Sequence, residues 1–184
     1  MISRTPLVLP TLFLAFLTCS TVNAQRDHLT PQEVDLVKEA QILDKRIDVF
    51  VKAADRRLMV LTGTQSANAK QLKKDSELWG ELPTGSHADL LGDIAGILDE
   101  AITNIDDVSS RDERNPLIPK ALRRLGEAVN NIMTQVAPFR DQAKSDGEVA
   151  SLESLNEEAQ QILEAVKKLP PPAAEPEKKA KKKN

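Results

Sequence analysis

Cysteine is nearly absent from this 184-residue chain, and the one that occurs, Cys19, lies among the first 24 residues. Residues 25–184 can therefore form neither a disulfide nor a thiolate metal site. Tyrosine is absent, and aromatic residues make up 3% of the chain. Because ligand pockets and interface hot spots are rich in aromatic side chains, this composition disfavours a dedicated small-molecule site.

The first 24 residues have the pattern of a secretory signal. Arg4 provides the positive charge, residues 7–17 form an apolar stretch, and Ala24 ends a run of small or compact residues. A membrane span needs about 20 apolar residues, which is more than this stretch supplies. We therefore predict cleavage between Ala24 and Gln25, export to the periplasm or the extracellular space, and no transmembrane span in the mature chain. Retention as an anchor and lipidation at Cys19 are the alternatives.

Four later segments carry apolar residues at alternating three- and four-residue steps, the spacing of a helix buried along one face. Thr30 and Glu33 form a capping box at the start of the first segment. Pro138 inside the third pattern predicts a kink or a split. The predicted helices are Thr30–Leu61, Ser86 to about Ser110, Asn115 or Pro119 to Ala143, and residues 145–148 to Leu169.

Residues 62–85 form the longest connection, and Leu72, Trp79 and Leu82 predict a short amphipathic helix within it. Trp79 either anchors this element onto the other helices or belongs to a partner surface. The predicted fold class is all-α, an antiparallel four-helix bundle with a short extra helical element between helices 1 and 2. The predicted core is Leu36, Leu43, Ile47, Phe50, Leu91, Ile94, Leu98, Ile105, Leu122, Leu125, Val129, Ile132, Leu155, Ile162 and Val166.

The predicted domain organisation is a signal peptide at 1–24, a helical bundle domain at 25–169 and a disordered Pro/Lys-rich tail at 170–184. The tail carries a charge of +3 and the bundle domain −7. Phosphate contacts need clustered basic side chains, so we expect no specific nucleic-acid binding by the acidic domain. The tail lysines are candidates for contact with an anionic surface: Lys178, Lys179, Lys181, Lys182 and Lys183.

Neither histidine completes a metal-binding motif. Bundles that hold two metals use Glu-x-x-His on facing helices, whereas Gln25 and Thr84 stand three residues before His28 and His87. We interpret both as solvated histidines at helix ends. Ser86 precedes His87, but neighbours in sequence do not make a nucleophilic dyad, and Ser86 is better explained as a helix cap.

The predicted second helix carries six acidic residues and could hold a divalent cation, although calcium sites usually need six to eight oxygen ligands from a loop. A solvated acidic face packed beside the basic third helix is the preferred interpretation. Met59 and Met133 are interpreted as core residues rather than haem ligands. We therefore predict no catalytic, cofactor-binding or metal-binding residues and no cofactor, with a metal- or cofactor-binding bundle as an alternative.

Two short strings resemble the Leu-Thr-x-x-Gln motif of small all-α periplasmic stress chaperones. Leu61-Thr62-Gly63-Thr64-Gln65 matches the motif, and Leu29-Thr30-Pro31-Gln32-Glu33 has Glu in the last place. This resemblance implies an ATP-independent holdase as an alternative function. Those chaperones are rich in Gln, Met and Arg, whereas this bundle domain is acidic, and no family is assigned.

The leading expectation is a non-enzymatic exported protein that acts through surface interactions. Its expected partner is another protein or an anionic envelope surface. The apolar stripes also resemble heptads, which makes a homodimer possible. At the level of single residues, we predict signal cleavage between Ala24 and Gln25. We also predict a partner surface that includes Trp79 and the tail lysines.

Overall fold

The computed structural model describes residues 27–171, and every regular element within this range is an α-helix. The predicted all-α class is therefore confirmed. The signal segment, its cleavage site at Ala24 and Gln25, and the tail lysines lie outside the described residues. Within them, no helix is long and apolar enough to cross a membrane. The helices are α1 (Pro31–Glu39), α2 (Leu43–Leu61), α3 (Ala69–Trp79), α4 (His87–Arg111), α5 (Leu117–Arg140) and α6 (Asp146–Lys167).

Three of the helices begin with a capping box. The Thr30 hydroxyl accepts from the Glu33 amide at 3.3 Å, and the Glu33 carboxylate accepts from the Thr30 amide at 2.9 Å. Ser86 begins α4, and Ser145 begins α6, in the same reciprocal way. Each box satisfies backbone N–H groups that have no partner inside the helix. The sequence pattern locates all three starts correctly.

The single helix predicted over Thr30–Leu61 is wrong. The chain breaks at residues 40–42, and α1 turns back along α2. Glu33 thereby contacts Arg56, which follows it by 23 residues. In a straight helix these two residues would be about 35 Å apart. The chain reverses direction here because a buried ion pair joins the start of α1 to the second half of α2.

The four long helices pack in a closed arrangement around one core. α2 contacts α4 and α5, and α6 contacts the same two helices from the other side. The basic side chains of α5 were expected to face acidic α4. Instead, Lys120 and Arg124 pair with Asp44 and Asp48 of α2. The fold is therefore bundle-like and all-α, with α5 charge-matched to α2.

The core contains almost all of the residues predicted from the apolar stripes. Leu36 and Val166 are exceptions, since both are only partly buried. Val166 packs directly on Gly126, where an added Cβ would lie only 2.7 Å from Val166 Cγ2. The buried face of α4 is wider than its predicted stripe and also includes Leu90, Ala95, Ile97 and Ile102.

The connection at 62–85 contains the predicted extra helix as α3. The third predicted helix corresponds to α5, which ends at Arg140 rather than at Ala143. α5 continues through Pro138 for two more residues, so the helix is not split there. Pro138 has no N–H to donate to the carbonyl of Thr134, so α5 loses one hydrogen bond near its end.

Candidate functional site

Two arginines and two acidic residues form a buried charge cluster: Arg56, Arg57, Glu33 and Asp93. Glu33 is 0% exposed, and each arginine is 1% exposed. Arg57 Nη1 lies 2.7 Å from both oxygens of the Glu33 carboxylate, and Arg56 Nε donates to one of them at 3.2 Å. Arg57 Nε lies 3.6 Å from Asp93 Oδ2. The cluster is formally neutral, with two charges of each sign.

Other N–H groups of the arginines bind the backbone, whereas the buried Arg57 Nε has no hydrogen-bond partner among the described residues. Arg56 Nη2 donates to the carbonyls of Trp79, Gly80 and Glu81. Arg57 Nη2 donates to the His28 carbonyl at 2.6 Å. The buried charge cluster therefore joins five parts of the chain: the segment before α1, α1 itself, α2, the end of α3 with the residues after it, and α4.

Burial controls the electrostatics of this cluster. It lowers the pKa of Arg56, and the facing Glu33 carboxylate opposes that change. A buried ion pair contributes little net stability by itself, but removal of one partner is strongly destabilising because the other charge loses its compensation. The arrangement is thus suited to holding chain segments in register. All of its charged side chains have ionic partners within the cluster, and none is presented as a free acid or base.

Trp79 lies at the end of α3, and its side chain is 6% exposed. Lys52 Nζ lies 4.6 Å and Arg56 Cζ 5.6 Å from the centre of the indole ring. Lys52 also forms a 2.7 Å ion pair with Asp75 of α3. Cations over an indole face are attracted by its quadrupole. Trp79 is therefore packed as an anchor for α3.

His87 is exposed at the start of α4, as predicted, whereas His28 is partly buried. His28 Nε2 lies 2.8 Å from Glu100 Oε2, and the ring packs on Gly96 so closely that a Cβ there would lie 3.0 Å from it. His87 makes an edge contact with Phe139, with the ring centres 5.5 Å apart. The interpretation of His28 as solvated is wrong, because the segment before α1 lies across α4 instead of extending into solvent.

His87 borders an open cleft of about 550 Å³ between the start of α4 and the α5–α6 turn. Glu148 also lines it, with its carboxylate 3.7 Å from His87 Nδ1. Backbone N–H groups of Lys144 and Ser145 lower the pKa of Glu148. That carboxylate already caps α6, and His87 is its neighbour. Within residues 27–171, no three His, Cys, Asp or Glu side chains gather as a metal site.

The outward side of α3 differs in charge from the acidic domain around it. We call Lys70, Lys73, Lys74 and Leu78 the α3 face. The three lysines are exposed, and the apolar side chain of Leu78 is 60% exposed. Trp79 and Asp75 hold the opposite side of the helix against α2. The α3 face therefore presents three lysines and one apolar side chain to solvent, and the exposed Glu77 lies among them.

Glu158 of α6 has a buried carboxylate oxygen, Oε2, without a hydrogen-bond partner. Burial raises the pKa of Glu158 above its ordinary value of 4.5, and the charges of Asp99 and Glu157 add to the effect. The folded carboxyl therefore keeps its proton to a higher pH than the unfolded one. Stability falls as the pH rises from 4.5 through the higher folded pKa.

Replacement of this group gives a pH-dependent prediction. We expect Glu158→Gln to raise the melting temperature near pH 7, because the uncompensated charge is gone, and to leave it unchanged near pH 3.5, where both forms are neutral. Thermal unfolding followed by circular dichroism at both pH values measures this. Glu153→Gln, an exposed change on the same helix, is the matched control. An equal effect of the two substitutions at pH 7 would contradict the assignment.

Comparison with known proteins gives no further assignment: no protein-family model, curated protein or solved structure matches the chain. The two chaperone-like strings both have local structural roles. Thr30 caps α1, and Thr62 is the C-terminal cap of α2, with its hydroxyl donating to the Leu58 carbonyl. These caps account for the strings without any special function.

The buried charge cluster was not predicted, although the sequence contains a signal for it. Arg57 follows Phe50 by seven residues and therefore falls on the apolar stripe of α2. Asp93 similarly lies three residues after Leu90 and four before Ile97 on the buried face of α4. A charged residue in phase with an apolar stripe indicates a buried ion pair. Glu33 was recognised only as a capping residue.

Proposed function

We propose that this protein is a non-enzymatic, exported helical-bundle protein that acts through surface interactions, with an anionic envelope surface as its partner. The observation that carries this proposal is the α3 face. It places three lysines and an exposed leucine on a helix that stands outside the packed core. Basic residues beside an apolar side chain are the features that attract a protein segment to an anionic lipid surface.

The buried side chains favour a structural role for this domain over an enzymatic one. The four members of the buried charge cluster neutralise one another and bind backbone carbonyls. A catalytic acid or base needs access to substrate, whereas Glu33 and both arginines are at most 1% exposed. The cluster is therefore best explained as part of the framework that displays α3.

The finer architecture belongs to the same proposal. We infer that α2, α4, α5 and α6 form an antiparallel four-helix bundle, because each of the four contacts two of the others extensively and the link between α5 and α6 is short. A cleaved signal at 1–24 would deliver the chain to the envelope. The Pro/Lys-rich tail at 170–184, with its five lysines, would add a second non-specific attraction to the same surface.

The test is binding to lipid vesicles. The full chain is expected to co-sediment with vesicles containing phosphatidylglycerol and not with neutral phosphatidylcholine vesicles. The triple change Lys70→Glu, Lys73→Glu and Lys74→Glu should weaken binding roughly a hundredfold, since each lysine near an anionic surface contributes about 1 kcal/mol.

The matched control reverses three exposed lysines elsewhere: Lys38, Lys45 and Lys167, whose side chains are 72%, 66% and 71% exposed. Equal weakening by both triple variants would show that net charge, not the α3 face, governs binding. A chain truncated before residue 172 measures how much the tail contributes to vesicle binding. Absence of binding to either vesicle type would overturn the proposal.

A further inference from the structure

The break between α1 and α2 occurs where the sequence has no helix breaker. Residues 40–42 are Ala-Gln-Ile, and none of them is Gly or Pro. Ile42 is the N-cap of α2 but has no side-chain hydrogen bond to the helix, and its side chain is 55% exposed. Helix N-caps favour Ser, Thr, Asp or Asn. Intrinsic preference at this point therefore favours continuation of the helix.

The apolar pattern also continues through the break. Leu36, Ala40, Leu43 and Ile47 follow one another at steps of four, three and four residues. This is the spacing of one continuous apolar face. In the observed structure, the Ala40 carbonyl accepts instead from Arg46 Nε at 2.9 Å. Tertiary contacts, rather than local sequence, hold the chain in its bent form.

The contacts that hold it are those of the N-terminal arm, which we define as residues 28–39. Glu33 of the arm supplies the carboxylate between Arg56 and Arg57. A straight helix through residues 40–42 would carry Glu33 about 35 Å away from Arg56. Two buried cations would then have Asp93 as their remaining partner in the cluster, which is strongly destabilising. A straightened single chain is therefore unfavourable unless a second Glu33 takes the vacated place.

We propose that residues 40–42 are a hinge, and that straightening of this hinge exchanges the N-terminal arm between two copies of the chain. α1 runs back along α2, so two straightened helices lying antiparallel would each place Glu33 beside the Arg56 and Arg57 of the other copy. The exchange is symmetric and closed, as in two-fold dimers formed by domain swapping. Each copy then keeps the contacts of its arm, and the hinge gains the helix that its sequence favours.

This inference rests on the hinge and the buried charge cluster, and it does not depend on the proposed function. A disulfide distinguishes an exchanged arm from an arm bound to its own chain. A Cβ at Gly96 would lie 3.3 Å from His28 Cβ, close to the separation of about 3.5–4.5 Å that a disulfide needs. The pair His28→Cys and Gly96→Cys, in the full chain with Cys19→Ser, therefore links the arm to whichever copy it contacts.

The chain is unfolded, refolded at low and at high protein concentration, oxidised, and separated on a non-reducing gel. The proposal predicts a covalent monomer at low concentration and a covalent dimer whose share grows with concentration. The Gly96→Cys single variant measures incidental cross-linking. Covalent monomers alone at every concentration would overturn the proposal, even if a non-covalent dimer were present.

Two hinge variants without the cysteine pair provide an independent test. Ile42→Ser removes the exposed side chain and adds an N-cap that favours the bent hinge, whereas Ile42→Ala removes the same side chain and favours the straight helix. Sedimentation should give a dimer association constant roughly tenfold lower for Ile42→Ser than for Ile42→Ala. Equal constants for the two variants would show that the hinge does not control association.

Discussion

Glu33→Gln is expected to destabilise the protein by about 3–5 kcal/mol, because it leaves Arg56 and Arg57 buried with one carboxylate, that of Asp93, in the cluster. Glutamine has nearly the same shape and retains hydrogen-bonding groups, so the loss reports on the charge. Urea unfolding followed by circular dichroism gives the free energy of unfolding for both proteins. Such a loss would be a large fraction of the total stability of a domain this size.

A control separates this effect from the loss of the α1 cap. Thr30→Ala removes the partner of Glu33 in the capping box but leaves the ion pairs intact, and an N-cap contributes about 0.5–2 kcal/mol. We expect Thr30→Ala to cost clearly less than Glu33→Gln. If the two changes lowered the free energy of unfolding equally, Glu33 would be acting mainly as a capping residue. The buried charge cluster would then contribute little to stability.

Leu98→Ala is expected to cost about 2–5 kcal/mol, since it removes a fully enclosed side chain and leaves a cavity between closely packed helices. Leu98 lies on α4, the helix that packs against both α2 and α6, and it is 1% exposed. Thermal or urea unfolding measures the loss.

Val149→Ala serves as the control for Leu98→Ala. Val149 is an apolar residue of α6 that is 44% exposed, and its truncation should cost less than about 1 kcal/mol because surface substitutions have small effects. A loss below about 1 kcal/mol for Leu98→Ala would place that side chain outside the core and would remove α4 from its central position.

Periodicity and capping residues were sufficient to predict most of the helical structure. Each capping box needs only two residues three positions apart, so the starts of α1, α4 and α6 could be located from local sequence. The core positions of α2 and α5 followed in the same way from the 3.6-residue period. These features are local, and local sequence is enough to specify them.

The break at residues 40–42 could not be predicted, because its cause lies elsewhere in the chain. Ala40, Gln41 and Ile42 favour helix, and the bend is imposed by ion pairs with residues 23 and 24 positions after Glu33. The same reason applies to His28, whose partner Glu100 is 72 residues away. Both features depend on tertiary contacts that override local preference.

The interior positions of Arg56 and Arg57 were also missed, although the phase of Arg57 on α2 indicated a buried side chain. Charged side chains are rarely buried, and a sequence does not show which carboxylate will neutralise them. Exposed features were harder to predict from the sequence than buried ones. The α3 face is recognisable only once Trp79 is known to hold the other side of the helix against α2.

The buried charge cluster holds the segments of this molecule together. A double-mutant cycle between Glu33→Gln and Arg57→Met tests this claim most directly. Each single change leaves the cluster with an uncompensated charge, whereas the double variant retains Arg56 and Asp93 and is again neutral. We predict a coupling energy of at least about 1 kcal/mol, with the double variant more stable than the sum of the single losses implies. Additivity within about 0.5 kcal/mol would contradict the account.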